Sequence, residues 1–128
     1  MTHDVAALLL AAGLVTMPCV VGQMARERGV DVGRALATVT LESAWDADAV
    51  GDNGLAIGLW QFRGRDSSNT WAWLCGVTGH PEWADDANRR DPVKTTIVAL
   101  DAIALGYGEH WRGWIEAGQR EDGWTWVR

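Results

Sequence analysis

Residues 36–62 run Leu36-Ala37-Thr38-Val39-Thr40-Leu41-Glu42-Ser43-Ala44-Trp45-Asp46-Ala47-Asp48-Ala49-Val50-Gly51-Asp52-Asn53-Gly54-Leu55-Ala56-Ile57-Gly58-Leu59-Trp60-Gln61-Phe62, an apolar segment leading into one acid and then a glycine-punctuated aromatic turn. The apolar positions Val32, Leu36, Val39 and Leu41 predict a largely buried helix over 32–43, capped by Asp31 and carrying Glu42 at its C-terminal end. Gly51-Asp52-Asn53-Gly54 signals a tight turn, because Asn-Gly tolerates positive φ, so a small β-hairpin or loop is expected over 50–62. A carboxyl group at the rim of an apolar face loses hydration, which raises its proton affinity and makes general-acid chemistry possible near neutral pH. A helix-end glutamate simply exposed to water is the alternative reading of Glu42.

Working outward, Thr2 or Asp4 caps a first helix through about Ala12, with Val5, Leu8, Leu9 and Ala12 on one face and Gly13 as the stop. Pro18 opens a second helix that directs Val20, Val21, Met24 and Ala25 inward and ends near Gly29. The apolar run Val5 to Val21 reads as two short buried helices rather than a signal peptide or membrane span. No Lys or Arg precedes it, Gly13 and Pro18 interrupt it, and a spanning helix needs roughly 20 residues. Further on, residues 66–70 cap a helix carrying Trp71, Trp73, Leu74 and Cys75, and a short helical turn follows from Pro81 to Ala87. Asp91-Pro92 starts the longest and most buried helix, through Ile97, Val98, Leu100, Ile103, Ala104 and Leu105. A last helix is expected over Glu109 to Ile115, and the Trp124-Thr125-Trp126 tail carries no clear pattern. The chain of 128 residues is therefore expected to be one mainly α domain, 1–128, of about six to seven helices with a small β-hairpin.

Composition narrows the function. A net charge of -6 argues against a phosphate-backbone ligand, and Arg89-Arg90 is the sole adjacent basic pair, so no nucleic-acid partner is expected. Cys19 and Cys75 lack the spacing of zinc or redox sites and read as small buried thiols, and His3, His80 and His110 are scattered. Neither a metal nor an organic cofactor is expected. No Gly-x-Ser-x-Gly nucleophile elbow occurs.

Nine tryptophans exceed what the core of so short a chain usually recruits. Flat indoles stack on sugar rings while their N–H groups bond hydroxyls. Trp71, Trp73, Trp111 and Trp114 stand at helical spacing and read as core, whereas Trp45 and Trp60 flank the turn near Glu42 and are candidate sugar contacts. Gly54 and Gly58 permit close backbone approach, and Gln61 offers a neutral donor and acceptor. An acid, an amide and stacking aromatics suit cleavage of a polar uncharged bond such as a glycosidic link. Asp52 and Asp66 are candidate second carboxylates, with turn and cap roles as their alternatives.

The string from Ala37 to Val50 with Glu42-Ser43, followed by Gly58-Leu59-Trp60-Gln61-Phe62, resembles the Glu-Ser and Gly-Leu-x-Gln signature of the lysozyme-like superfamily. The nearest branches are soluble lytic transglycosylases and goose-type lysozymes, with resuscitation-promoting factors nearby. The resemblance spans residues 18 to 62 and extends through the Asp91-Pro92 helix to Trp114. It implies a helical domain whose cleft binds peptidoglycan strands, with Glu42 protonating the β-1,4 bond between N-acetylmuramic acid and N-acetylglucosamine. Ser43 matches a residue that steadies the acid or the N-acetyl group, and Gln61 and the backbone at Gly58 match the cleft wall. The proton acceptor chemistry stays open between water, as in lysozymes, and the sugar's own C6 hydroxyl, as in transglycosylases. Gly54 stands four residues ahead of Gly58, one more than in many transglycosylases, and no Ala-Tyr-Asn-Ala-Gly segment appears, so Tyr107 is not carried over. These departures and the lack of a recognised signal peptide imply an endolysin or virion-associated enzyme, made in the cytoplasm and acting on the cell wall; a monomer without stable membrane insertion is expected, though no sequence feature sets the oligomeric state. A noncatalytic wall-binding or virion structural module of the same fold is the second reading, and a helical assembly domain using its tryptophans is the third.

Overall fold

The computed structural model describes residues 1–64 and 69–121. Its first helix, α1 (His3–Ala11), begins where the Thr2 hydroxyl accepts the Val5 amide at 3.3 Å, as expected of that cap. Its burial differs from expectation. Only Ala6 is fully enclosed, and Leu10 packs partly on the core, while Val5 and Leu8 face outward because α1 lies on the surface against the long fifth helix. The second helix, α2 (Met17–Glu27), has Pro18 in its first turn and buries Val20, Val21, Met24 and Ala25, the predicted face.

Asp31 caps α3 (Val32–Ser43) by accepting the Arg34 amide at 2.7 Å. Val39 lies fully in the core, Val32 and Leu36 only partly, and Leu41 is exposed, so the helix is buried along a narrower stripe than its apolar residues suggest. The helix ends abruptly because Ala44 and Trp45 both take left-handed backbone, with φ of 50° and 68°. A three-stranded antiparallel sheet follows: β1 (Val50–Gly51), β2 (Ala56–Ile57) and β3 (Phe62–Arg63), in that spatial order. Val50 pairs with Ile57, and Ile57 with Phe62. The expected hairpin thus gains a strand. Asp52, Asn53 and Gly54 all have positive φ between β1 and β2, the conformation that makes Asn-Gly useful there.

Asn69 caps α4 (Thr70–Val77), which buries Trp71, Leu74 and Cys75 but leaves Trp73 on the outside, against its predicted core role. Two 3-10 turns, Pro81–Trp83 and Asp86–Arg90, replace the single turn expected there. The Asp91 carboxylate then accepts the Val93 and Lys94 amides at 3.0 and 2.9 Å and starts α5 (Pro92–Ala104). At 13 residues α5 is the longest helix among the described residues, as predicted, and nine of them are buried, but Ala104 and Leu105, expected in the core, are exposed where the helix runs out into solvent. A 3-10 turn, Gly108–His110, precedes α6 (Arg112–Glu121), which starts three residues later than the sequence pattern indicated.

The described residues therefore form a mainly helical molecule with one small sheet beside the helices. Its centre is aromatic. Phe62 meets Trp71 and Trp111 edge-on at 4.7 and 5.4 Å, and Trp60 meets Trp111 at 6.1 Å, the offset geometry that ring quadrupoles favour. Each buried indole N–H finds an acceptor: Trp60 donates to the Thr96 hydroxyl, Trp71 to the Trp83 carbonyl and Trp111 to the Trp60 carbonyl. The last bond ties the start of α6 to the sheet. α6 then packs on α3, its main partner, where Arg34 donates to the Trp114 carbonyl at 2.9 Å and lies over the Trp114 ring. No helix among the described residues is long and apolar enough to cross a membrane. Cys75 is buried, but Cys19 is exposed, which corrects its expected burial.

Candidate active site

A cleft of about 360 Å³ opens between the end of α3, the sheet and the start of α6. Glu42 lines it together with Asp52, Gln61, Arg63, His110 and Arg112. Glu42 is half-buried, the last residue but one of α3, and its Oε2 accepts the Gly113 amide at 2.8 Å. Loss of water contact raises the proton affinity of this carboxyl above the ordinary glutamate range. The Gly113 N–H and the nearby Arg112 charge oppose that shift, while the Asp52 and Glu116 charges reinforce it.

The Gly113 contact depends on the missing side chain. A Cβ there would stand 3.0 Å from both Glu42 Oε2 and the Thr38 carbonyl oxygen, inside normal van der Waals distance. A glycine in a helix's first turn ordinarily weakens the helix by roughly 0.5–1 kcal/mol relative to alanine. Here it lets two helices approach until a backbone amide at the positive end of α6 reaches the acid.

Asp52 projects from the turn after β1, with a mostly exposed side chain, and its Oδ2 lies 3.3 Å from Arg63 Nη1. It shares the cleft with Glu42 and can act on a positive charge developing there. Gln61 also lines the cleft, but its amide nitrogen donates to the Ala49 and Gly58 carbonyls at 3.1 and 2.9 Å. Its left-handed backbone, φ 52°, puts that amide back over its own loop. Gln61 thus shapes the cleft wall, and the free amide donor expected from sequence is occupied.

Four other candidates lie outside the cleft. The Ser43 hydroxyl donates to the Val39 carbonyl of its own helix at 3.4 Å. Trp45 leans partly on the core and donates to the Thr40 hydroxyl at 3.0 Å. Trp60, in the turn between β2 and β3, is completely enclosed between Thr96 and Trp111, so the sugar contact expected of it is replaced by a core role, its N–H donating to the Thr96 hydroxyl. Gly58 has φ of 92°, and a Cβ there would collide with the Arg89 carbonyl, so its glycine serves a close backbone crossing rather than ligand approach. Asp66 lies outside the described residues.

Sequence reasoning missed several groups. Gly113 carries the only signal that was available, an unexplained glycine inside a helical pattern. His110 read as isolated because its neighbours in the cleft, Trp111 and Arg112 apart, are 40 to 68 residues away along the chain. Arg89, the first of the adjacent basic pair, is enclosed, and its Nη1 donates to the Leu55 and Phe62 carbonyls at 2.8 and 3.0 Å, clamping β2 and β3 from behind. Among the described residues no group of three or more His, Cys, Asp or Glu side chains comes together to hold a metal. Comparison with known family models, curated proteins and solved structures finds no match to the chain.

Proposed function

We propose that this chain is a peptidoglycan glycosidase of the lysozyme-like kind, cleaving the β-1,4 bond between N-acetylmuramic acid and N-acetylglucosamine with Glu42 as general acid. The observation that carries this reading is the Glu42 carboxyl itself, half-buried in an open cleft, with its proton affinity raised by burial and one oxygen held by the Gly113 amide. The protonated carboxyl donates its proton to the glycosidic oxygen, and the C1–O bond breaks with its electron pair passing to that oxygen. Positive charge develops at C1 and the Asp52 carboxylate in the same cleft opposes it. Glu42, now ionised, is steadied by the Gly113 N–H, a donor already in position before charge appears. The carboxylate then takes the proton of an incoming O–H, whose oxygen closes on C1. That O–H belongs to water in a hydrolase and to the C6 hydroxyl in an anhydro-forming enzyme.

Purified sacculi incubated with the protein test the reading. Wild type is expected to release soluble muropeptides, and Glu42→Gln, with unchanged circular dichroism, to release none. Mass spectrometry separates the two acceptors, since the products differ by one water. Glu42→Gln clearing walls at near the wild-type rate removes the assignment, and wild type that binds sacculi without releasing fragments points to a noncatalytic module.

A further inference from the structure

Among the described residues, Trp73 is the tryptophan that the core leaves exposed. It stands on the outer face of α4, 47% exposed, one turn beyond Thr70, which lines the Glu42 cleft. Residues three apart on a helix share a face, so Trp73 continues the cleft wall that Thr70 begins. His110, exposed and also lining the cleft, comes within 5.6 Å of the Trp73 ring, and Tyr107 meets it edge-on at 5.2 Å. Tyr107 and His110 are 6.2 Å apart. Three rings from two segments thus close into one cluster at the cleft mouth. Edge-on packing by Tyr107 supports the indole and leaves its outer surface open.

The indole nitrogens sharpen the contrast. Trp45, Trp60, Trp71 and Trp111 all donate within the protein, whereas the N–H of Trp73, like those of the less exposed Trp83 and Trp114, makes no hydrogen bond among the described residues. A rigid, half-exposed ring with a free donor at its edge matches a β-linked pyranose, which offers C–H groups on its face and hydroxyls or amides around its rim. We infer that Trp73, buttressed by Tyr107 and His110, is a stacking platform for an N-acetylhexosamine ring of the glycan outside the bond that Glu42 cleaves. This rests on the glycosidase reading for the occupant, not for the platform's geometry. The aromatic face is continuous with the cleft through His110, and that continuity favours a strand running out of it over a second protein.

The test uses Glu42→Gln protein, so that the ligand is not turned over, titrated calorimetrically with the β-1,4-linked tetramer of N-acetylglucosamine. Adding Trp73→Ala is expected to weaken binding roughly tenfold, the scale of a lost aromatic stack, and Trp73→Phe to weaken it less, both with unchanged thermal midpoints. In nitrogen-15 spectra the indole signal that Trp73→Phe removes is expected to move on titration. Tetramer affinity unchanged within about twofold in Trp73→Ala, an unmoved Trp73 signal under saturating ligand, or no tetramer binding at all overturns the platform. So does a wild-type dimer in sedimentation that Trp73→Ala converts to monomer. Failure of the glycosidase reading is separately visible: there, wild type leaves sacculi intact while the Trp73-dependent tetramer binding persists.

Discussion

At the scale of single residues, the acid and the glycine that holds it are one unit. Gly113→Ala puts a methyl 3.0 Å from Glu42 Oε2 and the Thr38 carbonyl, so the Glu42 carboxyl and the α3–α6 packing must both give by a few tenths of an ångström. The alanine's helix propensity would by itself stabilise. The overlap is expected to win, with a net loss of about 1–3 kcal/mol and a fall in wall-clearing rate of about tenfold or more as the acid loses its position. A thermal midpoint above wild type for Gly113→Ala would mean that the two helices are not so close. Glu42 also leaves a pH signature. Its proton affinity is higher folded than unfolded, so between the ordinary glutamate range and the raised folded value the native state holds more protons. Its contribution to stability is therefore full at acid pH and is lost as pH rises through that raised value. Glu42→Gln removes this dependence, and its thermal midpoint is expected to gain on wild type steadily from acid toward neutral pH. A constant difference would show that burial does not perturb the group.

At the scale of elements, caps and periodicity were largely legible. Thr2, Asp31 and Asp91 each cap the helix predicted for them, Pro18 and Pro92 sit in first turns, and Asn53-Gly54 makes the expected turn. These signals are local, so a single sequence carries them. Which face an element buries is set by its neighbours, and there the reading slipped: α1 exposes Val5 and Leu8, Trp73 faces out, and Trp60 faces in. The sheet shows the same limit. Nothing within residues 50–63 announces that Arg89 will enclose itself behind them and supply donors to the Leu55 and Phe62 carbonyls. Arg89→Met keeps the length but removes those donors, so the Phe62 carbonyl loses the guanidinium and the Leu55 carbonyl keeps only the Gly64 amide. A loss of about 2–4 kcal/mol is expected in the denaturant midpoint, together with a weakened cleft wall. A midpoint within the error of wild type would show that the strands hold their register unaided.

At the scale of the whole molecule, the two thiols report on the fold from opposite sides. Cys19 is exposed, and hydrogen bonding with Thr16 lowers its pKa, whereas burial pushes the Cys75 thiol up to about 12. A thiol reagent at neutral pH is expected to label one cysteine rapidly in native protein and the second only at the rate of opening, a measurement that mass spectrometry resolves. Rapid double labelling of folded protein would contradict the enclosed core. The location of Glu42 as the candidate acid was legible because it sits within one stretch of chain, but the means of tuning it was not, because Gly113 lies 71 residues downstream. That separation has a consequence in time. Ribosomes make α3 long before α6, and until residues 112–121 dock, Glu42 has neither its cover nor its amide partner and behaves as an ordinary surface glutamate. The carboxyl therefore takes on its raised proton affinity only when the last described helix closes on α3.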